Sequence, residues 1–435
     1  MKAGVVLLAL LLATMVMVPM VNAEKSSSDV TESKNLIESN YIPIKTAQDH
    51  ATITMLDMIQ SGALNENWVG AKLNPEPLII YDLNGQKLFY LFPVEKKGER
   101  VGEIYAASSK VLGAPVVVIG SITDPKKIKS LELSEQTIVN KKYNGFQIIS
   151  SKLVCYDYPL IGLITTLKNQ DTGEEKYILI DPRDGSDQEF DQLAQSNHSK
   201  IYSYYDQISL EDMKIWVNTW NDNDKKLKKI ETELFKKDPE IFVNYPDMDI
   251  SKIDQIISNI KNSNDPTIRS LFLQDDQRII SGLTHSTQYT DVWCGVATAQ
   301  IISSKYMSED DLWSQYHIAD MMGAYYPNGT PKGTTLSGEL NYYSVSVANG
   351  GLGKSSSSWA DRPYTTWEAA HDEIENNRPL KIGRDSPNYH ARACAGWMVN
   401  GGNPYLLFYD PGQWGSIYFE YVAPGYTYNN FMYVR

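Results

Sequence analysis

Cysteine is scarce in this chain, with three in 435 residues, at positions 155, 294 and 394. No CxxC spacing occurs, so neither a disulfide framework nor a zinc knuckle is encoded. Cys155 and Cys394 each fall inside an apolar, strand-like run, the setting of a small buried hydrophobe; with Cys294 set apart they are also the one pair left for a disulfide. Histidine is nearly as rare, with six. HExxH is absent, and although His371 with Glu375 and His390 with Cys394 are ligand types four apart, neither pair has an evident third ligand, so no metal is expected. Gly-x-Ser-x-Gly is missing, which removes the serine-esterase elbow. Residues 350–355 (GGLGKS) end like a phosphate-binding loop, but Ala348 stands where its first glycine belongs, so the stretch reads as plain loop and no cofactor is expected.

Positive charge is also short. Lys and Arg number 40 against 53 Asp and Glu, a net charge of −13, which repels phosphate backbones and anionic headgroups and argues against a nucleic-acid partner. The basic run 225–229 (KKLKK) sits at helical spacing, as a solvated face does. Long apolar runs are confined to the N-terminus. There Lys2 precedes a stretch from Val5 to Met17 broken only by Thr14, followed by Pro19 and small residues up to Ala23, the pattern of a cleavable secretory signal over residues 1–23. Retained, the same segment would be a membrane anchor. The expected location is therefore extracellular, secreted or at the cell surface.

An apolar content of 42% and a length of 435 residues allow several cores. Residues 24–48 are polar and read as a flexible leader. From 49 to 185 the pattern is α+β: a helix from His50 to Gly62, then a hairpin whose strands 77–83 and 87–93 meet at Asn84-Gly85, then further strands at 101–107, 115–120, 146–150, 152–158, 160–167 and 176–181. This region contains no convincing catalytic constellation. It resembles the regions that precede secreted cysteine-peptidase domains and mask the active site until removed. Residues 186–271 read as a helical connector. In it Ser209 caps a helix with Met213, Trp216, Val217 and Trp220 on one face, and Ile253, Ile256, Ile257 and Ile260 mark a second helix.

The segment 272–435 is organised differently, with helices first and antiparallel strands after. Within 288–300 (QYTDVWCGVATAQ), Cys294 stands where an irregular run becomes a helix, so its sulfur meets the positive end of the helix dipole, which favours the thiolate. Gln288, six positions earlier, is close enough to aim an amide at an oxyanion beside the sulfur. A cysteine nucleophile needs a base and a group to orient it. His390 opens a strand-like run in which Ala391, Ala393 and Ala395 leave it room, and Asp410 ends the next apolar run, before Pro411. Asn400 and Asn403 are alternative orienting groups, and His285 is the competing base, awkwardly tethered to the same loop. His317 and His371 lie on helices and read as structural.

Gln288-Tyr289, then Trp293-Cys294-Gly295 with Ala297, then Arg378-Pro379 before a strand, His390 with Gly396 soon after, and Tyr409-Asp410-Pro411 together resemble the papain-like cysteine peptidases. The similarity is nearest to their bacteriocin-processing (double-glycine leader) branch, although Val296 stands where that branch usually has proline. It covers about residues 280–435. The resemblance implies a papain-like fold, Cys294 as nucleophile, His390 as general base and acid, Asp410 as orienting residue, Gln288 as oxyanion donor, and a protein or peptide substrate. The same chemistry serves cell-wall peptide amidases and transpeptidases, and the alternative of another class is a non-catalytic surface protein retaining the fold.

Overall fold

A computed structural model of the protein describes residues 27–121, 125–158, 160–181, 187–189, 203–237, 276–361, 365–384, 390–412, 416–423 and 428–435. The N-terminal signal and the helix expected around Ile253–Ile260 lie outside these residues. The fold is α+β, built on a large mixed sheet.

α1 (Ser27–Ser39) is a helix where the polar composition predicts a flexible leader. Its apolar stripe is only two residues wide, which is why the sequence looks polar. Ile37 is nevertheless buried, its carbonyl accepts from Ser109 Oγ at 2.9 Å, and Ile42 N–H donates to the Ser108 carbonyl at 2.8 Å. Tertiary docking, not propensity, makes this helix. α2 (Ile44–Gln60) starts six residues before the expected helix, directly after Pro43, and buries Ala47, Ala51, Met55 and Met58.

Strands β1 (Lys72–Leu73), β2 (Leu78–Asp82), β3 (Lys87–Lys96), β4 (Glu99–Ala107) and β5 (Val116–Ser121) follow. The β2–β3 hairpin turns at Asn84-Gly85 as read, with Gly85 at φ +84°, a value glycine adopts without strain. Helix α3 (Pro125–Lys142) precedes β6 (Phe146–Asp157), β7 (Leu160–Asn169), β8 (Glu175–Ile180) and β9 (Asp187–Glu189). Next comes α4 (Leu210–Lys237), capped by Ser209, whose Oγ accepts from Asp212 N–H at 3.0 Å. Trp216 and Trp220 are buried on its inner face, as their spacing implied.

The remaining elements are β10 (Gln277–Ile279), α5 (Cys294–Ser303), α6 (Gln315–Met322), α7 (Leu336–Ser344), β11 (Ser358–Asp361), α8 (Thr366–Glu375), β12 (Leu380–Arg384), β13 (His390–Asn400), β14 (Asn403–Asp410), β15 (Ser416–Tyr421) and β16 (Asn430–Tyr433). Among the described residues all sixteen strands belong to one sheet, in the order β11-β16-β12-β13-β14-β15-β5-β4-β3-β2-β6-β7-β8-β9, with β1 on β3 and β10 on β13. Every pairing is antiparallel except β2 with β6.

The expected N-terminal and C-terminal regions thus meet inside a sheet. Strand β15 pairs with β5, placing Tyr418 opposite Gly120 and Phe419 opposite Ile119. Neither strand is left as an open edge, and apart from Ile417 the apolar residues of both are covered. One core runs through the junction, from Ile37 and Met55 through Val118 to Leu406, Tyr418 and Phe431; a second, around Trp293, Ile302, Ile318 and Tyr342, lies under α5. The halves are also tied by Asn223 to Asn403 at 2.7 Å, by Asn400 to Asp57 and by Gln277 to the Ser61 carbonyl.

Candidate active site

Cys294 is the first residue of α5, after Trp293. Trp293 is fully buried, with its indole N–H 3.3 Å from the Ala324 carbonyl and its ring edge-on to Tyr316 and Tyr325, so the helix start is pinned from below. Gly295 is required by space: a Cβ there would sit 2.1 Å from Thr334 Oγ1 and 2.9 Å from Glu339 Oε1. Val296 is the third helical residue, where the backbone N–H has no intrahelical partner, so valine and proline can both stand there. The face of α5 turned to the sheet is fixed by Thr298 Oγ1, which donates to the Ala391 carbonyl at 3.0 Å.

That bond brings the start of β13 to the sulfur. β13 and β14 are in register with Ala393 opposite Tyr409. One step further places Asp410 beside Arg392 and diagonal to His390, within reach across the pleat. His390 Nε2 lies 2.9 Å from Asp410 Oδ1, and the same ring hydrogen-bonds the Cys294 thiol, which leaves Nδ1 to the sulfur. Both side chains are largely covered, 26% exposed for His390 and 11% for Asp410.

The electrostatics follow from this line. Burial works against the His390 imidazolium, but the charge and hydrogen bond of Asp410, then those of Cys294, outweigh it and push its pKa up to about 10. Burial likewise opposes the thiolate, yet the hydrogen bond and charge of His390, the Ala391 N–H and the charge of Lys381 bring Cys294 below its ordinary value. Asp410 is held well below the usual carboxylate range: burial is overcome by His390, by Arg392 and by the Gly412 N–H. A histidine raised and a thiol lowered at neutral pH favour the ionised pair, thiolate with imidazolium, which suits nucleophilic attack followed by proton delivery.

Gln288 reaches the same place by its backbone, whose N–H donates to the Pro411 carbonyl at 2.7 Å. Its side-chain Nε2 donates to the Thr290 carbonyl at 2.8 Å, using one of its two hydrogens, and its Oε1 is buried without a partner. The loop is stapled by Gln315, fully buried, whose Nε2 donates to the Thr287 carbonyl at 2.7 Å and whose Oε1 accepts from Tyr289 N–H at 2.9 Å. The imidazole on the Cys294 thiol is that of His390, while His285 Nε2 lies 2.7 Å from the backbone carbonyl of Asp410 and braces that turn. Asn400 and Asn403 are at the opposite end of the β13–β14 hairpin and bond elsewhere, so Asp410 is the group beside the imidazole. His317 donates through Nε2 to the Gly350 carbonyl and stacks on Trp313, and His371 packs on Trp397; both are structural. No disulfide joins the three cysteines. Cys155 and Cys394 are buried and unbridged, and burial pushes Cys394 up to about 12. Among the described residues no group of His, Cys, Asp and Glu is arranged to hold a metal.

Two buried polar groups escaped the reading of the sequence. Behind Asp410, Tyr418 donates to Asp410 Oδ2 at 3.0 Å and accepts from Arg392 Nη1 at 2.8 Å, while Arg392 also bonds Glu420 Oε2 at 2.5 Å and Glu420 Oε1 accepts from Tyr428. Behind Gly295, Glu339 accepts from Thr334 Oγ1 at 2.6 Å and pairs with Lys381 Nζ at 3.0 Å, which also bonds Asn430. The available signal was Lys381, Arg392 and Glu420, single charges inside otherwise apolar strands, where an ion is tolerated only when paired. Compared with known proteins, the chain matches no family model and no curated protein.

Proposed function

We propose that the chain is a cysteine peptidase of papain-like type, exported from the cell and acting on a protein or peptide. The observation that carries this reading is the line from Cys294 through His390 to Asp410, with a histidine raised to about 10 and a thiol lowered below its ordinary value. Support also comes from the layout: a nucleophile at a helix start, a base and its partner on adjacent antiparallel strands, and Gln288 tied beside them.

In this reading the Cys294 thiolate attacks the scissile carbonyl carbon. The negative oxygen that forms is held by the Cys294 backbone N–H and by the free hydrogen of Gln288 Nε2. As the intermediate collapses, the C–N bond breaks and the imidazolium proton passes from His390 to the leaving amine, giving a thioester. His390, now neutral, takes a proton from water as the water attacks; the C–S bond breaks, the acid leaves, and the thiolate–imidazolium pair is restored. Asp410 stays ionised throughout and keeps the ring oriented. An acceptor amine in place of water would make the same site a transpeptidase.

The test is incubation of the mature protein with iodoacetamide and with casein, beside a Cys294→Ala variant. Labelling and proteolysis that both disappear in the variant support the peptidase. A Cys294 that reacts no faster than Cys155 or Cys394 refutes it in favour of a non-catalytic surface protein.

A further inference from the structure

We propose that Tyr418, held by Arg392 and seated by strand β5, is the positioning residue for Asp410, so that the N-terminal half is a standing part of the site and not a mask to be removed. This rests on the peptidase reading and extends it to how the site is kept in order.

The argument starts from the carboxylate. Asp410 Oδ1 meets His390 Nε2 and the Gly412 N–H, both at 2.9 Å. Oδ2 is fixed by the Tyr418 hydroxyl at 3.0 Å. With both oxygens held, the carboxylate plane cannot rotate, and the imidazole ring it orients cannot either. The direction of the Tyr418 hydrogen is set as well. Arginine only donates, so the bond from Arg392 occupies a lone pair of the phenol oxygen and turns the phenol hydrogen toward Asp410. Arg392 is parked by Glu420 and lies 3.9 Å over the Phe408 ring, so this order does not depend on solvent. The groups facing Asp410 are therefore His390 and Arg392 on β13, Tyr418 on β15 with Glu420 and Tyr428 behind, and His285 at its carbonyl.

Tyr418 in turn is placed by two neighbours, Phe408 on β14 and Gly120 on β5. At Gly120 the strands approach so closely that a Cβ would fall 2.5 Å from the Ile417 carbonyl oxygen and from Tyr418 Cα. Nearby, the Tyr405 hydroxyl donates to the Val116 carbonyl at 2.8 Å. Removing β5 would leave β15 as a sheet edge, with the strand that carries Tyr418 free on one side.

The experiment measures iodoacetamide alkylation of Cys294 against pH in the full chain, in Tyr418→Phe and in Gly120→Ala, with melting temperature and the kcat–KM split as companions. A loosened Asp410 supports the imidazolium less and the thiolate less with it. The acid limb of alkylation is then expected to rise by about one pH unit, the tenfold that one buried hydrogen bond to a charged group corresponds to, with kcat falling and KM unchanged. An unmoved limb, or one displaced to lower pH as when a donor merely damps the Asp410 charge, overturns the positioning role. Should Tyr418→Phe not accumulate folded, Gly120→Ala decides by the same criterion. If the unaltered chain shows no limb below that of an ordinary thiol, the peptidase reading itself fails and takes this role with it.

Discussion

Gly295→Ala is the most local perturbation whose size can be worked from the structure. The added Cβ would meet Thr334 Oγ1 at 2.1 Å, Glu339 Oε1 at 2.9 Å and Thr334 Cβ at 3.2 Å. None of these yields easily, because Glu339 is buried and held by both Thr334 and Lys381. Overpacking a close-packed site costs about 1–3 kcal/mol. Displacing the Thr334 hydrogen bond adds about 1 kcal/mol, for a total on the order of 2–4 kcal/mol. Because Cys294 is the preceding residue, relief by moving the helix start also moves the sulfur away from His390, and a shift of about 1 Å can cost a hundredfold in rate. The assay is chemical denaturation together with the Cys294 alkylation rate. Thr334→Ala in the same chain removes the nearest atom but keeps its Cβ, so it should restore part of both losses, a coupling that a double-mutant cycle reads directly. A Gly295→Ala protein with parental stability and parental alkylation, or a Thr334→Ala change that adds its cost independently, refutes the reasoning.

Four further outcomes are expected. Asp410→Asn keeps an acceptor but loses the charge that raises His390, so the imidazolium should be lost from about pH 10 downward toward the ordinary histidine value, with kcat/KM reduced on the order of 10²–10⁴-fold. A raised histidine contributes stability that is complete below its unfolded value and is lost as pH rises through about 10, so the parent should lose more melting temperature than Asp410→Asn between pH 7 and 10.5. At pH 7 a limiting alkylating agent should label Cys294 alone, since Cys394 is buried and pushed up to about 12; mass spectrometry of the peptides checks it. Residues 272–435 expressed without the rest should be insoluble or unfolded, because Tyr418 and Phe419 each lose a burial worth roughly 1.5–3 kcal/mol and β15 becomes an open edge; a soluble fragment with a cooperative melt would contradict this.

Local chemistry was legible where one short stretch decides it. The Asn84-Gly85 hairpin, the buried tryptophan face of α4 and the helix start at Cys294 are such cases, each set by turn preference or apolar period. Asp410 was readable as the end of an apolar run, but its preference over Asn400 and Asn403 depends on which end of the β13–β14 hairpin faces α5, and that is a matter of packing. The role of His285 was hidden because a backbone carbonyl is its partner. The junction of β5 with β15 was not readable at all, since a strand's pattern states which face is buried and not which strand lies beside it. The same limit made two regions of what is one sheet, and made a leader of α1, whose burial depends on a distant loop.

The β5–β15 pairing also sets an order of events. Ile417 pairs with Ser121 across about 300 residues of chain, a closure that raises contact order and slows folding. On a ribosome the N-terminal strands are finished long before β15 exists, and domains made first fold first. Cys294 emerges while His390, Asp410 and the strand behind them are still unsynthesised. If Cys294 is the nucleophile proposed above, its thiol stays unactivated during its own production until β13, β14 and β15 have been made and have paired with β5.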